Sequence, residues 1–193
     1  MAKEIYTSYL GLNKDTMMDT SYKMREHVNK WYSKVPDGNE LNATNSMYSE
    51  TWVMYTFFIH PYPGVFELYN SLKKTFRKIV RNEEPYFMQS WINFYNKGDI
   101  IDWHKHWPGE MKTWHGFYCV NAKNSTTVYR WPPSIEETKV ECDDDLLVLN
   151  QSDGDIHKTL PWNEDVPRIS VAFDIVPAEN IDPLVWNNHW MPI

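Results

Sequence analysis

Apolar residues fall at helical spacing in two stretches of the first half of the chain and in short alternating or continuous runs through the second half. Over residues 19–31, Met24, Val28 and Trp31, with Tyr32 beside them, predict one helix. Pro36-Asp37-Gly38-Asn39 predicts a turn after it. Residues 52–59 are apolar and aromatic and read as a strand that stops at His60-Pro61-Tyr62-Pro63-Gly64. Beyond that break, Val65, Tyr69, Leu72, Phe76 and Ile79 make one stripe of a second helix. Its late Lys73, Lys74, Arg77, Lys78 and Arg81 suit the negative end of the helix dipole and read as a solvated face. Strands are then expected at 86–95, 100–106, 114–121, 126–131, 146–150 and 168–176. The fold class is therefore mostly β with α, a sandwich or jelly roll carrying the earlier helices on one side.

Composition narrows the function classes. The chain has 193 residues, a length that suits one domain, and a net charge of -7, which repels a nucleic-acid backbone and makes nucleic acid a poor default partner. The first residues lack the apolar run of a signal peptide, and no stretch approaches the roughly 18 apolar residues of a membrane span, so a soluble cytoplasmic protein with no membrane partner is expected. Cys119 and Cys142 read as reduced core thiols, and Asn42, Asn124 and Asn150 in Asn-x-Ser/Thr matches carry little without an export signal. Aromatic residues make up 16%, mostly core, with Trp103, Trp107, Trp114, Trp131 and Trp162 kept as candidate cleft walls near the histidine clusters.

Those clusters carry the chemistry. In Asp102-Trp103-His104-Lys105-His106, strand alternation would point His104 and His106 the same way with Asp102 behind them. His157, in Asp155-Ile156-His157, would add a third nitrogen and leave the opposite face of an octahedral ion open for substrate and oxygen. His27, His60, His115 and His189 fit no such pattern and read as structural or exposed, His115 having the best reason to lie near the site. Arg168-Ile169-Ser170 opens an apolar strand, where an inward guanidinium needs an anionic partner and Ser170, two residues on, could donate to the same carboxylate.

Taken in order, Asn93-Phe94-Tyr95, Asp102 to His106, Gly154-Asp155-Ile156-His157 and Arg168-Ile169-Ser170 resemble the 2-oxoglutarate and Fe(II)-dependent dioxygenase superfamily, in its prolyl-hydroxylase-like and AlkB-like branches. The resemblance implies a double-stranded β-helix, a cupin-like jelly roll, with residues 1–85 as mainly helical support, 86–177 as the catalytic β core and 178–193 as a C-terminal tail. It further implies a hydroxylase that uses Fe(II) and O2 and converts 2-oxoglutarate to succinate and CO2. His104 and His157 would bind iron, Arg168 and Ser170 would hold the far carboxylate of 2-oxoglutarate, and Asn93 and Tyr95 would touch the same cosubstrate. The substrate would be a small molecule or a peptidyl side chain.

The chain departs from the family in placing His106 where a metal-binding carboxylate is usual. Three arrangements follow: three imidazoles on the iron, two imidazoles with water, or Asp102 or Asp155 swinging in. Asp174, standing where AlkB-like enzymes have a second arginine, argues with the net charge against nucleic-acid demethylation. Two other classes stay open, a three-histidine cupin-like enzyme that needs no 2-oxoglutarate and a non-enzymatic β-sandwich binding module lined by aromatic rings.

Overall fold

The computed structural model describes residues 4–31, 56–181 and 190–193. Helix α1 (Lys14–Trp31) starts earlier than the apolar spacing indicated, because Asn13 Oδ1 accepts the Thr16 N–H at 2.9 Å and caps it. Its buried stripe includes Thr20 and Ser21 between Met17, Met24 and Val28. Their hydroxyls are satisfied by Pro63 O (2.6 Å) and Met17 O (2.7 Å), which is how polar residues hide within an apolar face. Helix α2 (Val65–Val80) buries Val65, Leu68, Leu72 and Phe76, leaving Tyr69 and Ile79 only partly covered. Its basic end is not simply solvated: Arg77 donates to Glu84 O at 2.9 Å and to Ile193 O at 2.5 Å.

Among the described residues, strands form two sheets. One has the order β1 (Ile5–Tyr9), β6 (Leu146–Gln151), β3 (Trp114–Asn121), β8 (Arg168–Pro177), β2 (Tyr86–Tyr95), β9 (Met191–Pro192), all antiparallel. The other has the order β5 (Glu137–Cys142), β4 (Ser125–Arg130), β7 (Ile156–Thr159). This is the jelly roll expected. Strand β8 is central and buried on both faces. Ile169, Val171, Phe173 and Ile175 point toward the helices, each burial stabilising by about 1.5–3 kcal/mol. On that outer side Phe94 meets Tyr22 of α1 at 5.6 Å between ring centroids and Trp114 meets Phe76 of α2 at 5.9 Å. Trp114 therefore packs under the helices and is no cleft wall.

Two expected strands fail. Of residues 52–59, Phe57–Ile59 form a 3-10 turn, and residues 52–55 lie outside the described ones, as do Tyr32 and the turn at 36–39. Residues 100–106 form no regular strand, because Asp102 Oδ1 turns back to accept the Trp103 N–H at 2.7 Å and bends the chain. A single bridge, His104 paired with His157, keeps this segment beside β7. The C-terminal residues return to the sheet as β9, while His189 lies outside the described residues. No helix among the described residues is long and apolar enough to cross a membrane.

Candidate active site

The inner face of the larger sheet is a polar grid set by strand alternation. Residues directly opposite in an antiparallel pair share a face. Register pairs Tyr95 with Arg168, Asn93 with Ser170 and Gln89 with Asp174 across β2 and β8, and His115 with Asp174 and with Asn150 across β3. Against this grid the smaller sheet lays Ser125, Thr127 and Tyr129 of β4 and His157 of β7.

His104, His106 and His157 converge, each offering one ring nitrogen within 4.8 Å of the others. Their ring centroids lie 4.2 Å (His104–His157), 5.4 Å (His104–His106) and 5.1 Å (His106–His157) apart. The convergence does not come from strand alternation as expected. Backbone bonds of 3.0 and 2.9 Å in both directions between residues 104 and 157 place His104. Asp174 Oδ1, 2.6 Å from Nδ1, places His106. His104 donates from Nδ1 to Asp102 O at 2.8 Å, so on both rings Nδ1 is engaged outward and Nε2 keeps its lone pair for an ion. Asp102 itself is exposed, not behind the histidines.

Burial, with the nearby His106 ring, pushes His104 down to about 4, and burial with His104 holds His157 well below its usual value. Both are neutral and ready to coordinate. His106 differs: burial opposes its charge, but the Asp174 carboxylate outweighs burial and holds the imidazole above its usual value.

A second set, His115, Asp155 and His157, meets at the same spacing, and all three are buried. Two of its members are bonded to each other: His115 Nε2 is 2.9 Å from Asp155 Oδ2, and Asn150 Nδ2 lies 3.0 Å from the same nitrogen, while His157 Nδ1 has no hydrogen-bond partner. Burial disfavours the Asp155 charge, yet the interactions with His115 and His157 together offset it and hold the carboxyl far below the usual range. His115 stacks on His106 at 4.7 Å and on His157 at 4.8 Å. Of the reading of His115 as structural or exposed, exposure is excluded, and the expected nearness to the site is what the structure shows. Alternation along Trp114-His115-Gly116-Phe117, with Phe117 inward, was the signal that could have found it. His27 and His60 lie apart, packed on each other at 4.8 Å.

Arg168 is the other half of the site. It is 3% exposed, its Nε donates to Ser125 Oγ at 3.0 Å, and its Nη1 has no partner. Its guanidinium carbon sits 4.7 Å from the Tyr95 ring centroid and 5.6 Å from that of Phe117. Burial raises the Tyr95 phenol in spite of Arg168, so this ring supplies no negative charge. Asn93 Oδ1 and Tyr129 Oη are also buried without partners. A buried guanidinium with an unused N–H fits a bound carboxylate. Tyr129 stacks on His157 at 5.2 Å, and β4 runs about 13 Å from Ser125 to Tyr129, so one strand links the guanidinium to the imidazoles. Of the remaining candidate walls, Trp131 stacks on Tyr129 at 6.0 Å. Trp103 instead lies against Arg130 (4.5 Å) and Lys158 (4.6 Å), and Trp162 is tied to Val166 O at 2.8 Å.

No family model and no curated protein sequence matches the chain. Solved structures do. A non-heme alpha ketoglutarate dependent carbocyclase from nogalamycin biosynthesis superposes with a TM-score of 0.64 at 8% identity, covering 99% of this chain and 92% of its own. A prolyl-4-hydroxylase of Pseudomonas putida gives 0.55 at 13% identity, covering 94% and 89%. A prolyl hydroxylase of Trichoplax adhaerens, solved with a hypoxia inducible factor peptide, gives 0.59 at 11%, covering 92% and 86%. The chain therefore has the fold of the 2-oxoglutarate and Fe(II) oxygenases, a jelly roll with helices on one face.

Proposed function

We propose that the protein is a 2-oxoglutarate- and Fe(II)-dependent dioxygenase that hydroxylates a carbon of a small molecule or peptidyl side chain. The observation that carries the reading is the buried Arg168 guanidinium with an unsatisfied N–H, on the sheet face that also meets the three converging imidazoles. In this reading His104, His106 and His157 hold the iron, and Arg168 with Ser170 holds the far carboxylate of 2-oxoglutarate. Asn93 and Tyr95 border that carboxylate as their register neighbours. The bound metal and cosubstrate would supply oxygen activation coupled to decarboxylation of 2-oxoglutarate to succinate.

The chain's own contribution is placement. His104 and His157, kept neutral by burial, present lone pairs at neutral pH. Tyr95 and Phe117 flank the guanidinium and exclude water from its ion pair, which strengthens it. Tyr129 fixes the plane of His157 by stacking. The His115, Asp155 and Asn150 network packs behind His106 and His157 and holds them against rotation.

Within the set His115, Asp155 and His157, the bond between His115 Nε2 and Asp155 Oδ2 already occupies two of the three donors, which makes it the less apt metal site. The test is Fe(II)-dependent formation of succinate from 2-oxoglutarate by the wild type and by Arg168→Ala. Turnover lost only in the variant supports the proposal. Metal-dependent turnover that survives in Arg168→Ala and without 2-oxoglutarate would favour the cupin-like enzyme. Failure of calorimetry to detect 2-oxoglutarate on metal-loaded wild type, together with no turnover, would leave the aromatic binding module.

A further inference from the structure

Three neutral imidazoles leave the charge of a divalent ion undiminished in a buried site, and an uncompensated buried charge is costly. We propose that Asp174 is a positioning residue for this centre, restoring across the His106 ring the negative charge that a carboxylate ligand would have brought to the ion. The inference rests on the oxygenase reading with His106 as a ligand.

Asp174 lies inside the central strand, its side chain 5% exposed, with Oδ1 2.6 Å from His106 Nδ1. A carboxylate so buried is retained only with a strong partner, and here the imidazole N–H donates to it. That bond fixes the tautomer, leaving the Nε2 lone pair for the ion. The ring is also held on its faces, stacked on Trp91 at 5.9 Å and 25° and on His115 at 4.7 Å and 24°. The other two imidazoles have different anchors. His104 donates to a neutral backbone carbonyl. The carboxylate nearest His157 is that of Asp155, 3.7 Å from Nδ1 and already bonded to His115. Among the described residues, Asp174 is thus the carboxylate in direct hydrogen bond with a proposed ligand. Alternation on β8 puts it on the same face as Arg168 and Ser170, so one strand carries both the cosubstrate anchor and the ligand anchor.

Zn(II), redox-inert and diamagnetic, serves as the probe. Asp174→Asn should weaken Zn(II) binding about 10- to 100-fold in the wild-type background. In a His106→Asp background, where the carboxylate returns to the ion itself, the same substitution should leave affinity unchanged or tighten it. Equal losses in both backgrounds would reduce Asp174 to a structural role, and no loss in the wild-type background would overturn the proposal. A wild type that binds neither Zn(II) nor Fe(II) would sink the oxygenase reading itself, a separate result. Should the variants fold poorly, nitrogen-15 NMR of histidine-labelled wild type decides. The His106 Nδ1 proton should persist while Nε2 shifts on adding Zn(II). Metal on Nδ1, or no response from His106, would overturn the assignment.

Discussion

His106 and Arg168 each have a charge problem that burial makes acute, and each yields a prediction at the level of a single side chain. Because Asp174 holds His106 above its usual value of 6.5, protons compete with metal for Nε2 of this ring at higher pH than for an ordinary imidazole. Zn(II) affinity should therefore fall as pH drops, with proton release on binding that calorimetry in buffers of different ionisation enthalpy would show. Stability of the metal-free protein runs on a different group. His104 sits at about 4 when folded and near 6.5 when unfolded, so below pH 6.5 the unfolded chain takes up a proton that the folded one refuses. Denaturant titrations should find roughly 2 kcal/mol lost between neutrality and pH 4, allowing for partial exposure of the ring. For Arg168→Lys, a point charge replaces a two-pronged donor, and 2-oxoglutarate affinity should fall by about tenfold or more, while Arg168→Ala should lose at least about 100-fold. Zn(II) affinity in both variants should stay near wild type.

Strands β3 and β8 show how far an element can be read from its own residues. The alternation of Arg168, Ser170, Ala172 and Asp174 with Ile169, Val171, Phe173 and Ile175 already separates an inner polar face from an outer apolar one. The bounds expected for β2 and β3 match those observed, since each is an aromatic-rich run followed by polar or turn-forming residues. Gly116 is explained by neighbours the sequence does not show. A Cβ there would lie 2.1 Å from Val148 O and 2.9 Å from the Phe173 ring, a clash with backbone that no side-chain movement relieves. Gly116→Ala should cost about 3 kcal/mol or more in urea unfolding and lower the yield of folded protein. The segment 100–106 was misread because Asp102 bends the chain locally, a side-chain-to-backbone bond that overrides the apolar pattern.

At the scale of the whole molecule, ligand binding and folding are linked, because the proposed binding residues are assembled from β2, β7, β8 and the 100–106 segment. Zn(II) at 100 times its Kd should add about 2.7 kcal/mol, raising Tm by roughly 5–10 °C. Adding 2-oxoglutarate should raise it further in the wild type and not in Arg168→Ala, a contrast that differential scanning fluorimetry reads directly. That His104, His106 and His157, with Asn93, Tyr95, Arg168 and Ser170, lie on one inner face agrees with residues the chain itself singles out by type and by short spacing within each motif. Both helices and the jelly roll were legible in the chain, because periodicity records which face is buried. The central place of His115, the hold of Asp174 on His106 and the tie between Arg168 and Ser125 were not legible. They are contacts between strands far apart in sequence, decided when two sheets close on one another and bring their inner faces within hydrogen-bond reach.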